Sequence, residues 1–200
     1  TEPGGAQSGR PLSPQPVLRL EDAEGNLVSS ESSRTVTLTL TDPQGATLAG
    51  ARTVRFTNGI ATFTNLVIKM AGTYTLTAKT TAGSFGAESD SLVVTPGPAA
   101  SLAFATQPVG AAAGAPLSQQ PTVVLKDRNG NVVTTNSVDT VTLTLTLARG
   151  AVLSGPVTLT VEGGVAAFDG LTVDMPGTYT LTARTSAGTF SKTSTSFQVT

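Results

Sequence analysis

The chain has 200 residues, 12 Lys and Arg against 13 Asp and Glu, and a formal net charge of −1. Charged residues make up 12% and form no basic stripe, which argues against nucleic acid and anionic membrane surfaces as partners. Cysteine and histidine are both absent, so disulfides, thiol chemistry, imidazole catalysis and imidazole metal ligation are excluded.

Thr1 to Pro16 is rich in Gly, Pro and Ser, and Pro11-Leu12 reads as a short edge segment, where proline is tolerated. The pattern returns at Thr106 to Pro121, with Pro116-Leu117, a shift of 105 residues. That shift holds along the chain without a gap, and about half of the aligned positions are identical. Val17 to Asp22 and Thr122 to Asp127 are the next strands. Each leads into a turn, Asp22-Ala23-Glu24-Gly25-Asn26 or Asp127-Arg128-Asn129-Gly130-Asn131. In the second, Asn129-Gly130 is a tight-turn signal, because both residues accept a positive φ.

Thr35 to Thr41 and Thr140 to Leu147 alternate strictly, with Val141, Leu143, Leu145 and Leu147 on one face. Turns at Gly45 and Gly150 lead to Leu48 and Leu153, then to Thr53-Val54-Arg55-Phe56 and Val157 to Val161. Asn58-Gly59 and Gly163-Gly164 mark hairpins, and Ile60 to Phe63 and Val165 to Phe168 return from them, followed by Leu66 to Ile68 and Leu171 to Val173. Gly72-Thr73-Tyr74-Thr75-Leu76-Thr77-Ala78 and its twin Gly177 to Ala183 place Tyr, Leu and Ala on one face and Thr on the other. The glycines Gly72 and Gly177 are expected to permit the turn that feeds each strand. Tyr74 and Tyr179, the two tyrosines of the chain, sit where sandwich domains place a tyrosine whose hydroxyl bonds back to nearby backbone. Ala82-Gly83 and Ala187-Gly188 turn into last strands, Phe85 to Val94 and Phe190 to Val199.

Turn signals at this spacing, with no helical stretch and no apolar run of the roughly 18 residues a bilayer span needs, predict an all-β chain without membrane insertion. The expected architecture is two tandem immunoglobulin-like β-sandwiches of about seven strands each. They cover residues 1–95 and 101–200, joined by a short stiff linker, Pro96-Gly97-Pro98-Ala99-Ala100. Leu102-Ala103-Phe104-Ala105 reads as the first strand of the second module, and its counterpart would lie ahead of Thr1. The expectation is a piece of a longer chain that begins inside the first strand of a module.

Three pieces resemble the bacterial Ig-like modules found in tandem in adhesins and invasin-like stalks. They are Asp127 to Val133, Gly164 to Phe168 with Leu171, and Pro176 to Ala183; the first copy carries them as Asp22 to Val28, Gly59 to Leu66 and Ala71 to Ala78. The resemblance spans both modules nearly end to end. It implies a β-sandwich with a spacing or adhesive role at the cell surface, and brings no catalytic residues. Antibody domains carry a cysteine two residues after the tyrosine; here Leu76 and Leu181 stand there, so apolar packing takes the place of the bridge.

Candidate sites are few. Asp22, Glu24 and Asn26, and Asp127, Asn129 and Asn131, alternate as calcium ligands do, but Gly holds the fourth position and no bidentate Glu follows at EF-hand spacing. An Asp side chain bonding its own turn is the favoured reading. Thr37, Thr39 and Thr41, and Thr142, Thr144 and Thr146, form outward rows that suit a solvated strand face better than a ligand surface. Lys69, Lys79, Lys126 and Lys192 have no matching lysine in the other copy, against a shared isopeptide cross-link. Glu21, Asp90, Glu162 and Asp174 do not recur as carboxylates either, so no enzyme and no cofactor is expected. The function expected is a structural spacer of an extracellular surface or filament protein, whose partners are neighbouring modules of the same chain or identical subunits. The alternatives are an adhesin or carbohydrate-binding module recognising surface glycans or other cells, through loops such as Asp42 to Gln44 and Leu147 to Arg149, and a subunit assembling by strand donation.

Overall fold

The computed structural model describes residues 1–81, 85–137, 139–146, 148–186 and 188–200. Ala82, Gly83, Leu147 and Ala187, named above in turns and on a strand face, lie outside these residues. The chain divides into two compact units, Thr1–Gly97 and Pro98–Thr200.

Unit 1 contains β1 (Ala6–Gln7), β2 (Val17–Arg19), β3 (Thr35–Leu40), β4 (Leu48–Ala49), β5 (Thr53–Arg55), β6 (Ile60–Thr62), β7 (Val67–Ile68), β8 (Gly72–Tyr74), β9 (Leu76–Thr80), β10 (Gly86–Glu88) and β11 (Leu92–Thr95). Unit 2 contains β12 (Ser101–Thr106), β13 (Thr122–Lys126), β14 (Thr140–Thr146), β15 (Leu153–Ser154), β16 (Thr158–Thr160), β17 (Val165–Ala167), β18 (Thr172–Val173), β19 (Gly177–Thr185), β20 (Ser191–Thr193) and β21 (Phe197–Val199).

Unit 2 shows the plan most fully. One sheet runs β12-β13-β17 and the other β16-β14-β19-β20, with β21 continuing along β19. Their inward residues meet in a single core: Leu102, Val123 and Leu125 from the first, Val141, Leu143, Leu181 and Ala183 from the second. Alternation fixes which residues these are, since a slip of one residue would turn the whole apolar set outward. Along β14 and β19 the inward pairs are Leu143↔Ala183 and Leu145↔Leu181; unit 1 repeats them as Leu38↔Ala78 and Leu40↔Leu76. Unit 1 builds its sheets as β10-β9-β3-β5, β1-β11-β8, β2-β6 and β4-β7 around its own core.

The N-terminal Gly/Pro/Ser stretch is tied into the fold. β1 pairs in parallel with β11, Pro11 bridges Val67, and Leu12 is buried. Unit 2 repeats this at Pro116, which bridges Thr172, and at buried Leu117.

Three expectations need correction. The last strand is not continuous in either unit: β10 and β11 are separated at Ser89, and β20 and β21 at Ser194. At each break the serine hydroxyl accepts from the backbone N–H of the neighbouring leucine, Leu76 or Leu181, at 2.9 Å, in place of a carbonyl. This break, with the short lateral pairs β4/β7 and β15/β18, raises the tally above seven: eleven strands among the described residues of unit 1 and ten in unit 2. The Asn129-Gly130 turn also differs. Only Gly130 (φ 89) takes the left-handed region, and its N–H donates to the Asp127 carbonyl at 3.1 Å, a type I turn closed by a left-handed glycine. Asn58-Gly59 does place both residues there (φ 50 and 77), as a two-residue hairpin requires.

Because each unit has its own core, a core truncation acts locally. Leu181→Ala, at a fully buried site, is expected to lower the stability of unit 2 by about 2–5 kcal/mol and leave the unit 1 transition in place, read by denaturant unfolding with residue-resolved amide exchange.

Candidate functional site

The side chains that recur between the units converge on holding backbone. Tyr74 and Tyr179 are buried with their rings in the core. The Tyr74 hydroxyl donates to the Met70 carbonyl at 3.1 Å; the Tyr179 hydroxyl reaches the Met175 and Pro176 carbonyls at 3.0 and 3.2 Å. Burial raises the Tyr74 pKa above its ordinary value of 10. Gly72 and Gly177 open their strands, Gly177 at a φ of 158 that side chains rarely adopt, and both also make room for a tyrosine. Both lie within strands, and a Cβ there would sit 2.9 Å from the Tyr74 hydroxyl and 2.8 Å from that of Tyr179. They are small so that the tyrosine can reach back over them. Leu76 and Leu181 lie two residues further on, on the same buried face.

Gln15 and Gln120 are a second recurrent device, which strand-pattern reasoning passed over. The Gln15 amide donates to the Leu12 and Leu66 carbonyls at 2.9 and 3.3 Å, and its oxygen accepts from Leu66 N–H at 3.1 Å. Gln120 does the same with Leu117 and Leu171 at 3.3, 3.2 and 3.1 Å. The amide therefore pairs like a strand residue beside a proline that cannot donate. Its signal was available: a polar identity at the 105-residue shift inside a proline-rich stretch.

The candidate calcium residues are engaged in their own turns. Asp22 Oδ1 accepts from the Glu24 and Asn26 backbone N–H at 3.1 and 2.8 Å, and Oδ2 from the Asn26 side-chain amide at 3.3 Å. Asp127, which is buried, repeats the set with Asn129 and Asn131 at 2.8, 2.9 and 2.8 Å. The hydrogen bond from the Asn26 backbone is the main cause holding the Asp22 carboxyl below its usual pKa, against a smaller opposing effect of desolvation. Among the described residues no three His, Cys, Asp or Glu side chains come together as metal ligands would.

The outward threonines pair with each other across strands. Thr37 and Thr53 hydroxyls lie 2.8 Å apart, Thr41 and Thr77 2.8 Å, Thr142 and Thr158 2.9 Å, and Thr146 and Thr182 2.7 Å. Thr39 and Thr144 are exposed. Glu21, Asp90, Glu162 and Asp174 are exposed on separate elements; Glu21 faces Arg19 at 3.7 Å, and Asp174 accepts from Val152 N–H at 2.7 Å. Lys69, Lys79 and Lys192 are exposed and Lys126 is half-buried. One loop in unit 1 carries a strongly shifted acid. Glu31 accepts from the Ser33 hydroxyl and backbone N–H, both at 2.7 Å, and from Arg34 N–H at 2.9 Å, with the Arg34 guanidinium at 3.4 Å. The Ser33 hydroxyl contributes most, and the Glu31 pKa falls to about 2. Unit 2 has Asn136 and Asp139 in these places, with the Asn136 amide donating to Asp139 at 2.7 Å, so the charge does not recur.

No family model and no curated protein sequence matches the chain. Among solved structures it is similar to the D0-D1 domain of intimin, at 17% identity and TM-score 0.36, covering 98% of this chain and 94% of that one. It is also similar to the Yersinia pseudotuberculosis adhesin InvE, at 17% identity and TM-score 0.40, and to β-glucuronidase 3 of Bacteroides uniformis, at 12% and 0.37. The chain spans 56% of the second structure and 23% of the third. At these scores the likenesses, an enzyme among them, do not bear on what this chain does.

Two outcomes test the backbone ties. Tyr179→Phe is expected to cost about 1 kcal/mol in unit 2. Gly177→Ala is expected to cost more than that, and the double variant less than the sum of the singles, because removing the hydroxyl relieves part of the clash; a denaturant double-mutant cycle reads it. For Glu31, a folded pKa of about 2 against an ordinary 4.5 means its contribution is fully present above pH 4.5 and is lost as the pH falls toward 2. Glu31→Gln is expected to flatten the acid limb of unit 1 stability over that window and leave unit 2 unchanged, checked by thermal unfolding across pH.

Proposed function

We propose that the chain is a pair of non-enzymatic spacer modules of a bacterial extracellular surface or filament protein, with neighbouring modules or identical subunits as its partners. One observation carries this reading: what recurs at the 105-residue shift is the machinery that holds each unit together, and what drifts is charge. Tyr74/Tyr179, Leu76/Leu181, Gln15/Gln120, Ser89/Ser194 and Asp22/Asp127 keep residue type and hydrogen bonds. Glu31 becomes Asn136, Arg34 becomes Asp139, Glu21 becomes Lys126 and Glu2 becomes Gln107. A module used for length conserves its interior and tolerates exchange of surface charge, whereas a module used for chemistry would repeat its polar constellation. The Thr-rich, low-charge, tandem all-β character of the chain supports a location outside the cell.

Single-molecule pulling on the chain between two handles tests this. Two separate unfolding events are expected, each releasing on the order of 350 Å of contour, the length of an extended module of this size. One cooperative event, or extension without a resolved barrier, would sink the spacer reading. A glycan array run in parallel is expected to be blank; binding abolished by changes in the Asp42 to Gln44 loop would favour an adhesin instead.

A further inference from the structure

Seven large apolar side chains among the described residues are exposed, and only Met70 and Met175 of these stand 105 residues apart. They are the two methionines of the chain, 45% and 44% exposed. Elsewhere an exposed apolar residue of one unit has no exposed apolar counterpart in the other, so this position alone keeps a thioether at the surface of both copies. The backbone beneath it is held. The Met70 carbonyl accepts from the Tyr74 hydroxyl at 3.1 Å, and the Met175 carbonyl from the Tyr179 hydroxyl at 3.0 Å. Two residues ahead of each methionine the chain is sealed into the core, at Ile68 and at Val173.

Sulfur sets the position apart chemically. With no cysteine, tryptophan or histidine, the oxidation-prone side chains of this chain are its methionines and tyrosines. Both tyrosines are buried at 4% exposure. A two-electron oxidant in the medium therefore meets the two thioethers first. We propose that Met70 and Met175 are sites of reversible oxidation to methionine sulfoxide, with peroxides as the oxidant, and that both take up the oxygen without cost to the fold. The sulfur lone pair attacks one peroxide oxygen, and the S–O bond forms as the O–O bond breaks. The departing hydroxide takes the proton of the transferred hydroxyl, so the thioether loses two electrons and hydrogen peroxide ends as water. Return needs an external dithiol, which becomes a disulfide as the oxygen leaves as water, the reaction class of the sulfoxide reductases. A sulfoxide buried in a core would disrupt it, because an apolar side chain becomes polar. Here neither methionine belongs to a core, and the tie that fixes this stretch binds its main chain rather than its side chain. The reacting atom and the holding atom of one residue are thus separate.

The test is treatment of the 200-residue chain with hydrogen peroxide at neutral pH, followed by peptide mapping by mass spectrometry, with N-acetylmethionine amide as the reference. Oxygen is expected at Met70 and Met175 only, each at a rate within about fivefold of the reference, as for an accessible thioether. The oxidised chain is expected to unfold at the same denaturant concentrations as the parent in both units. The two epimer-specific sulfoxide reductases with dithiothreitol are expected to clear both oxygens from the folded chain. A chain with Met70→Gln and Met175→Gln, polar at both places, should also keep the parent's transitions, and one with Met70→Leu and Met175→Leu should take up no oxygen. Uptake more than about a hundredfold slower than the reference, the mark of a shielded thioether, overturns the proposal. So does a lowered transition of either unit after oxidation or in the Gln chain, oxygen on a tyrosine ahead of a methionine, or resistance of the folded chain to the reductases. Protection of either methionine that grows with chain concentration also overturns it, because the side chain would then lie in a contact between copies.

Discussion

Everything in each unit depends on one row of side chains, Tyr-x-Leu-x-Ala, entering the core from β19 in unit 2 and from β8 and β9 in unit 1. Tyr74, Leu76 and Ala78, and Tyr179, Leu181 and Ala183, are members of their cores, and the two leucines stand where antibody-type sandwiches would have a disulfide cysteine. With no cysteine in the chain, no disulfide fixes one sheet over the other. Apolar packing has to do so, and it is non-directional, so a second set of contacts must fix the register. The tyrosine hydroxyl on the Met70 or Met175 carbonyl, the glutamine amide on Leu66 or Leu171, and the serine hydroxyl on Leu76 or Leu181 do this in both copies. Each anchors an irregular stretch of backbone to the strand beside it.

Much of this was legible in the sequence, and the boundary of legibility is physical. Alternation with a period of two shows directly which face of a strand is buried, so Val141, Leu143, Tyr179 and Leu181 could be assigned inward from pattern alone. Hairpin chemistry was readable where one turn type dominates, as at Asn58-Gly59. It misled at Asn129-Gly130, because the Asp127 side chain captures the turn backbone and leaves only one residue to take a positive φ. Gln15 and Ser89 were missed for a different reason. A polar side chain that stands in for backbone has no periodicity of its own, and its partner lies 51 residues away for Gln15 and 13 for Ser89. Gly72 was assigned to the right motif, but the space it preserves lay beyond pattern, since it is defined by a tyrosine ring that only the fold brings over it.

The repeat adds what pattern reading cannot. Two copies of one module, with different residues at the same place, serve as an internal control. Where both make the same hydrogen bond with the same residue, the bond belongs to the architecture. Where Glu31 and Arg34 face Asn136 and Asp139, the loop keeps a polar tie but not its charge, so the pH response carried by Glu31 is a property of that copy alone.

The threonine pairs carry a further consequence. The outer face of the β3 and β14 sheets presents hydroxyls that satisfy one another across strands, and charged side chains are sparse over the whole chain. Ionic strength acts on a folded protein mainly by screening fixed charges. A sandwich held by apolar rows and neutral hydroxyl pairs offers salt little to screen, so its folded state changes little between fresh water and brine. That insensitivity follows from a strand face built of threonine rather than of lysine and glutamate.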